Sequence, residues 1–218
     1  MKQGGIKVKR VLILGATSNI SHYLIPKLLN QSVFLTLFAR HGCQRLAKLV
    51  SNPKVHVMNG DWNNVDDLQR AIKDQDIVFM ATSQFIQANK NVVAVMKEQH
   101  VKRLIAISEL GIEDEVTGDF GKWTRKMMGN NQNLKVAANV IKHNGLNYTL
   151  MRMAWLYDQD KNEAYELIQS GQPFQDTQLT RQAAARFVAD IVNNPELAAY
   201  QSVGIAEPNT QWGKPSFY

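Results

Sequence analysis

The feature that most constrains this fold is a repeated alternation of short apolar runs with segments in which apolar residues recur every three or four positions. An uninterrupted apolar run of this length is typical of a strand buried on both faces of a parallel sheet. The chain contains six such runs before residue 153, namely Val11–Leu14, Val33–Phe38, Val55–Met58, Asp76–Ala81, Arg103–Ser108 and Asn147–Arg152.

The segments between these runs have the period of helices packed on a sheet, as in the stripe of Leu134, Ala137, Ala138 and Ile141. Strands joined by helices require right-handed crossovers, which predicts an α/β fold with a doubly wound parallel sheet of the Rossmann type. The length of 218 residues suits one domain spanning 1–218. Residues from about 153 to 218 are expected to form a small C-terminal appendage on the substrate side.

Several segments do not follow the alternation. Residues Leu110–Asn130 include four glycines and are predicted to form a long loop of functional importance. Residues Ala164–Ile168 suit either a helix or a hairpin strand. Thr180 is predicted to cap a further helix, and Ser202–Ala206 to form a late strand.

Composition excludes several classes of protein. The single cysteine, Cys43, rules out an intramolecular disulfide and a cysteine-based metal knuckle, and the five histidines lack metal-ligand spacing, so no metal is expected. The net charge of +6 comes from scattered residues, so nucleic acid is not an expected partner. No apolar run reaches the ~20 residues that span a bilayer, which predicts no membrane association and a cytoplasmic location.

The turn after the first strand indicates a nucleotide site. Gly15–Ser21 reads Gly-Ala-Thr-Ser-Asn-Ile-Ser, at the point where Rossmann folds aim backbone N–H groups and a helix N-terminus at a pyrophosphate. It resembles the Gly-Ala-Thr-Gly-x-x-Gly turn of the short-chain dehydrogenases/reductases, especially the atypical NmrA-like branch. Ser18 and Ser21 replace the second and third glycines of that motif. The alternative is an ordinary turn capped by serine or asparagine.

The resemblance covers nearly the whole chain, and it implies where a cofactor lies. In the turn, Gly15, Thr17, Ser18, Asn19 and Ile20 would contact the pyrophosphate. The second strand ends at Arg40, where no acid is available for the ribose of NAD, so NADP(H) is favoured over NAD(H). The alternative is that Arg40 only ends a strand in solvent.

Further contacts follow at the ends of the next strands. Asp61 and Trp62 match the family segment whose acid meets the adenine, although Asp61 is equally suited to capping a turn. Ala81 and Thr82 match the segment that passes the ribose and nicotinamide. Ser108 falls in Ile107–Gly111, which resembles the family's Ile-Ser-Ser-x-Gly, whose serine lies near the substrate carbonyl.

The chain departs from the family pattern at the residues that supply the proton. Typical members use Tyr-x-x-x-Lys, in which lysine lowers the pKa of the tyrosine. Leu134 and Ala138 stand at those two places. Literal matches elsewhere, Tyr23 with Lys27 and Tyr157 with Lys161, are expected to be coincidental, although Tyr157 is close enough to the expected pocket to remain a candidate. The catalytic candidates are therefore Ser108 and Tyr157.

Two functions of different classes remain open. The first is an NADP(H)-dependent oxidoreductase that passes hydride to a small carbonyl or quinone-like acceptor without a Tyr–Lys pair, the proton coming from solvent, Ser108 or Tyr157. In it, Trp123, Trp155 and Tyr157 are candidates for lining a flat pocket. The second is a non-catalytic NADP(H)-binding sensor that regulates a partner protein. A third possibility is that loss of two glycines has abolished dinucleotide binding.

Overall fold

The structure is a computed structural model that describes residues 8–218, and its central feature is a sheet of eight strands. Most strand residues are apolar and fully buried, as the uninterrupted apolar runs require. The strands of the described residues are β1 (Lys9–Leu14), β2 (Val33–Ala39), β3 (Val55–Asn59), β4 (Ile77–Met80), β5 (Arg103–Glu109), β6 (Asn147–Met153), β7 (Trp155–Tyr157), β8 (Glu166–Gln169), β9 (Gln178–Thr180) and β10 (Gln201–Ala206).

The strand order confirms the predicted fold class. The main sheet runs β3-β2-β1-β4-β5-β6-β10-β8, and its strands are parallel except β8, which pairs antiparallel with β10. The chain order reverses on either side of β1, so that β1 pairs with β2 on one edge and β4 on the other. This is the topological switch point at which doubly wound sheets bind ligands. A separate parallel pair joins β7 and β9.

Helices cover both faces of the sheet. They are α1 (Asn19–Leu29), α2 (Gly42–Arg45), α3 (Val65–Ile72), α4 (Ile86–Glu98), α5 (Gly118–Met128), α6 (Gln132–Lys142) and α7 (Arg181–Asn193). On one face, α1 and α7 contribute Leu24 and Phe187 to an apolar core, and on the other, α3, α4 and α6 contribute Leu68, Met96 and Ile141. Within residues 8–218, no helix has the length and apolar character needed to cross a bilayer.

The segment predicted as a long loop, Leu110–Asn130, contains a helix, so that prediction was wrong. Helix α5 buries Phe120, Gly121 and Thr124 on one face. A Cβ on Gly121 would lie 2.4 Å from the carbonyl oxygen of Val116, so this glycine permits close packing of the helix on the preceding loop. Gly129, with φ +66°, ends the helix. The glycines that argued for a loop are therefore the residues that allow this helix to pack and stop.

The elements after residue 153 resolve the alternatives left by the sequence. Residues 166–169 form a strand rather than a helix, and they extend the edge of the main sheet through β10. Thr180 caps α7 as predicted, its hydroxyl accepting from the N–H of Ala183 at 3.0 Å. The late strand is present as β10. That the later residues form the substrate side stays a prediction.

A buried arginine ties the loop after β5 to the sheet. Arg152 on β6 is fully buried; its Nη1 lies 2.7 Å from Glu115 Oε1 and its Nε 3.4 Å from Glu113 Oε2. The Nε also donates to Ser202 on β10 at 3.1 Å. The Glu115 carboxylate accepts from the N–H of Gly111 at 3.0 Å. A buried arginine needs opposite charge and hydrogen bonds close to it, and here these contacts hold residues 110–117 in place.

Burial alone would raise the pKa of Glu113, but hydrogen bonds from Lys142, Ser202 and Ser170 and the charge of Arg152 lower it to about 2, from 4.5. Because the pKa is depressed in the folded state, its contribution to stability is present above pH 4.5 and is lost as the pH falls towards 2. We expect Glu113→Gln to reduce the free energy of unfolding at neutral pH by up to about 3 kcal/mol and to flatten this acid-dependent loss.

Urea denaturation at neutral pH and near pH 3 measures both effects. Glu98→Gln, at the exposed end of α4, is the matched control and should leave both values unchanged. A Glu113→Gln variant as stable as the parent at neutral pH, with the same loss in acid, would show that the Glu113 charge does not hold the loop.

Candidate functional site

The turn between β1 and α1 depends on Gly15. This residue has φ +83°, a left-handed conformation that favours glycine, and a Cβ on it would lie 3.0 Å from the Cβ of Ala81. The N–H groups of Gly15 and Ala16 both donate to the carbonyl of Phe38, at 3.1 and 3.2 Å. The turn is thereby packed between the ends of β2 and β4, at the switch point.

The two serines that replace glycines of the family motif hydrogen-bond to each other. Ser18 is the N-cap of α1: its Oγ accepts from the N–H of Ser21 at 3.1 Å and donates to Ser21 Oγ at 2.9 Å. Ser21 Oγ in turn donates to the carbonyl of Gly15 at 2.9 Å. The Ser18 hydroxyl proton is therefore committed within the turn, which matches the capping alternative rather than a free donor for phosphate.

The beginning of α1 nevertheless fits an anion. Asn19 and Ile20 open the helix, where N–H groups have no intrahelical acceptor and the helix dipole is positive. The first turn contains no acidic residue. A left-handed glycine, free amides and the absence of negative charge together fit the pyrophosphate of a dinucleotide.

Basic residues follow β2. The Arg40 side chain is exposed, and Arg45 and Lys48 are exposed in the segment after it. A cavity of about 610 Å³ separates this segment from α1 and reaches Thr17 and Ser18 of the turn. The sequence interpretation named Arg40 but missed this cavity, because its two walls come from helices that the residue pattern alone does not bring together.

Asp61 caps a turn and Trp62 lies against the glycine turn. Asp61 Oδ1 accepts from the backbone and side-chain nitrogens of Asn63, at 2.9 and 3.0 Å. Asp61 therefore caps a turn, as the alternative interpretation predicted. This role uses Oδ1 and leaves Oδ2 for other contacts. The indole of Trp62 lies 3.8 Å from the position that a Cβ on Gly15 would occupy. Of these two candidates, Trp62 is therefore the one that packs against the turn.

The ends of β4 and β5 bring the remaining candidates to the same edge. Ala81, next to Gly15, donates its N–H to the carbonyl of Leu14 at 3.0 Å, and Thr82 follows half-buried. Ser108 is 5% exposed and lies beside Arg152 in the parallel register of β5 and β6. Ser83, which was not among the predicted site residues, ties the two strand ends by donating to the carbonyl of Ile107 at 2.7 Å.

The side chain of Tyr157 makes its contacts away from this edge of the sheet. Its hydroxyl is 2.5 Å from Glu207 Oε2 and 2.9 Å from Gln159 Oε1, and its ring stacks on Phe217. Burial and the neighbouring Glu207 carboxylate raise the pKa of Tyr157 to about 12. The phenol consequently holds its proton more tightly than an ordinary tyrosine. Lys161, four residues on, has a left-handed backbone in the following loop.

In the other literal Tyr-x-x-x-Lys match, the tyrosine and the lysine each contact a different acidic residue. Tyr23 lies 3.3 Å from Asp158, and Lys27 pairs with Glu163. On α6, Leu134 is half-buried against the apolar core and Ala138 is buried within it.

A cavity of about 220 Å³ lies between the carboxyl ends of β5 and β6. It is lined by Glu109, Leu110, Met128, Met153, Ala154, Trp155 and Leu156. Of the three aromatic candidates, Trp155 lines it, whereas Trp123 packs behind at 4.8 Å between ring centroids and Tyr157 is not part of the wall. The sequence interpretation missed Glu109, although it lies between Ser108 and the glycine of the family segment.

Tyr218 completes an aromatic cluster behind this cavity. Its ring is 5.0 Å from that of Trp123 and 5.3 Å from that of Trp155, in edge-to-face arrangements. Such pairs fix the orientation of each ring, so the indole wall of the cavity is held from behind. The partner that fixes Trp155 is more than sixty residues away in sequence, and no local pattern indicates it.

The described part of the chain contains no candidate metal site. Among residues 8–218 there is no group of three or more histidine, cysteine or acidic side chains arranged to hold an ion. Cys43 is exposed at the start of α2, with its Sγ 3.8 Å from the carbonyl of Val57.

Comparison with known proteins agrees with this geometry. The chain is 29% identical to a short-chain dehydrogenase/reductase from Veillonella parvula over 97% of this chain and 100% of that one, with a TM-score of 0.91. A structure of such a Veillonella protein in complex with NADP is 28% identical, with a TM-score of 0.90 over 96% and 99% of the two chains. No curated protein matches the chain.

A Rossmann-fold NAD(P)-binding family protein from Shigella flexneri is 33% identical, covers 97% of this chain and 100% of its own, and has a TM-score of 0.79. A family model described as NAD(P)H-binding matches residues 15–195, from the left-handed glycine to just beyond α7. The resemblance inferred from the sequence is confirmed, and the chain belongs to the NAD(P)H-binding family of Rossmann-fold proteins.

Proposed function

We propose that this protein is an NADP(H)-dependent oxidoreductase of the short-chain type, which passes hydride to a small carbonyl or quinone-like acceptor. One arrangement carries the proposal. The anion-binding start of α1, behind Gly15, opens onto a line of strand ends that finishes at an apolar cavity between β5 and β6. A dinucleotide lying along that edge would present its reactive ring to the cavity.

The preference for NADP(H) rests on charge at the end of β2. Arg40 is exposed there, with Arg45 and Lys48 nearby, and β2 ends without an acid to bind the free ribose hydroxyls of NAD. An arginine at this place accommodates a 2′-phosphate. The Veillonella structure in complex with NADP supports the same choice.

The cofactor, when bound, supplies the hydride, and the chain supplies position and polarity. Gly15, Thr17, Ser18, Asn19 and Ile20 would hold the pyrophosphate, and the adenosine would lie near Arg40, Asp61 and Trp62. Ala81, Thr82 and Ser108 would face the ribose and nicotinamide. Most of the catalytic effect would then come from holding the acceptor against the cofactor in a cavity from which apolar walls exclude water.

Ser108 and solvent are the two candidates that remain for the source of the proton. Tyr157 already donates to a carboxylate and has a raised pKa, so it is a poor proton donor. Ser108 lies at the end of β5 and is nearly buried, next to the cavity residue Glu109. A quinone-like acceptor, which takes its proton from water after reduction, would need neither side chain.

The second candidate is a non-catalytic NADP(H) sensor that regulates a protein partner. It is favoured by Leu134 and Ala138 at the places of the family's Tyr–Lys pair, where neither side chain can donate a proton. Measuring NADPH oxidation with a panel of small quinones and carbonyls separates the two. An enzyme consumes NADPH with at least one acceptor, whereas a sensor binds NADPH and turns over none.

The first prediction concerns Arg40. We expect the parent protein to bind NADPH more tightly than NADH by about tenfold to a hundredfold, because a charge-assisted contact to the 2′-phosphate contributes about 1.5–3 kcal/mol. Arg40→Ala should remove most of this preference without weakening NADH binding, as measured by calorimetric titration. Arg70→Ala, on the exposed side of α3, is the control and should keep the preference. Equal affinities in the parent protein would refute the assignment.

The second prediction concerns Ser18. Its Cβ stands where the family motif has glycine, and its hydroxyl is used within the turn. We expect Ser18→Gly to tighten NADPH binding severalfold while lowering stability by a few tenths of a kcal/mol, since glycine is an acceptable N-cap. Thr180→Gly removes the comparable cap of α7 and should lower stability with no change in NADPH affinity. Weaker binding by Ser18→Gly would instead make this hydroxyl a phosphate ligand.

A further inference from the structure

The cavity between β5 and β6 combines one carboxylate with one indole in an otherwise apolar wall. Glu109 is the only charged residue among the side chains that the structure places around it, and Trp155 is the only aromatic one; the rest are Leu110, Met128, Met153, Ala154 and Leu156. The protein has a net charge of +6, so an isolated negative charge in this cavity is not a general property of its surface.

Glu109 is held in place and keeps an oxygen available. It lies at the end of β5, in register with Met153 of β6, and its Oε1 accepts a hydrogen bond from the side-chain amide of Gln84. Within the described residues, no lysine, arginine or histidine nitrogen lies within ion-pair distance of it, and no basic residue lines the cavity. Among residues 8–218, the negative charge therefore has no cationic partner at ion-pair distance.

A carboxylate in this position is unfavourable for a neutral carbonyl acceptor. Hydride addition places negative charge on the carbonyl oxygen, and an efficient site provides hydrogen-bond donors or positive charge to that oxygen. Glu109 provides the opposite charge. Leu134 and Ala138 add no proton donor from α6.

Both features suit an acceptor that carries a positive charge before reduction. An iminium ion, C=N⁺, has its positive charge attracted by a carboxylate and by the π face of an indole. Its carbon accepts the hydride with its electron pair, the C=N π bond moves to nitrogen as a lone pair, and a neutral amine results. NADPH is converted to NADP⁺, so charge balances, and no proton is needed in the hydride-transfer step.

We infer that the cavity formed by Glu109 and Trp155 binds small cyclic iminium compounds, and that their reduction to amines is the reaction this protein carries out. The inference rests on the proposed NADP(H)-dependent hydride transfer and assigns it a cationic acceptor in place of a carbonyl or a quinone. Glu109 holds the cation through its charge, and Trp155, fixed by Trp123 and Tyr218 behind it, provides the flat wall.

A pair of probes with similar bicyclic skeletons tests the acceptor. N-methyl-dihydroisoquinolinium is a permanent iminium cation, and tetralone is a neutral ketone of similar shape. With saturating NADPH, and after subtraction of the rate without protein, we expect kcat/KM for the cation to exceed that for the ketone. Glu109→Gln keeps the shape of the side chain and should lower kcat/KM for the cation by about tenfold to a hundredfold, whereas kcat/KM for the ketone should rise, because the charge that opposes the developing oxyanion is removed. Glu98→Gln, far along α4, should change neither value.

A binding measurement provides a readout independent of turnover. Protonated tetrahydroisoquinoline, titrated by calorimetry into the protein with NADP⁺, should bind, and Glu109→Gln and Trp155→Leu should each weaken it about tenfold or more, while NADPH affinity stays unchanged. Two results would overturn the assignment of this cavity to a cationic acceptor. One is that the amine binds Glu109→Gln as tightly as the parent protein, and the other is that NADPH displaces the amine.

The experiments can refute the iminium acceptor without refuting the oxidoreductase function. If quinones or tetralone are reduced and the iminium is not, the oxidoreductase stands and the iminium assignment is wrong. If NADPH binds but no acceptor of any class is turned over, the oxidoreductase itself is wrong, and the reduction step falls with it.

Discussion

The site depends on the close approach of three backbones at the end of β1. Gly15 adopts a left-handed conformation there, its N–H bonds to the carbonyl of Phe38 on β2, and a Cβ on it would crowd Ala81 beyond β4. A residue with a side chain would be strained at this φ and would crowd Ala81 just after β4. Because this packing starts α1 at the switch point of the sheet, it sets where the amides of Asn19 and Ile20 point. The same packing fixes the edge along which the other candidates lie.

At the other end of this edge, the cavity between β5 and β6 depends on a charged side chain buried in the interior. Arg152 has no exposed surface, and ionised groups so placed are stable only when paired and hydrogen-bonded. Glu113 and Glu115 provide that compensation and thereby hold the loop that supplies Leu110 to the cavity wall. Gly121 then lets α5 pack on Val116 in the same loop and bring Met128 to the wall. The cavity is consequently built on a polar network that also shapes its apolar lining.

The parts of the structure that could be predicted from sequence are those set by local patterns. Buried strands show as continuous apolar runs, and Gly15 at the end of such a run indicates the turn. Helix α5 was missed because its glycines are explained by contacts with Val116 and by chain reversal, neither of which a local pattern shows. Glu109 was passed over because its importance comes from an opposing strand and from the absence of basic neighbours. Tyr157 illustrates the converse: its position suggested acid chemistry, but burial and the carboxylate of Glu207, which is far away in sequence, raise its pKa.

The central claim, that a dinucleotide lies along the carboxyl edge from the Gly15 turn to the cavity, is tested most directly by hydrogen exchange of backbone amides with and without NADPH. The account predicts slower exchange for amides of residues 17–20, with smaller protection near residues 81–82 and 108–109, and no change on the far side of α7. The absence of protection at residues 17–20 at a saturating NADPH concentration, or protection confined to another surface, would contradict it.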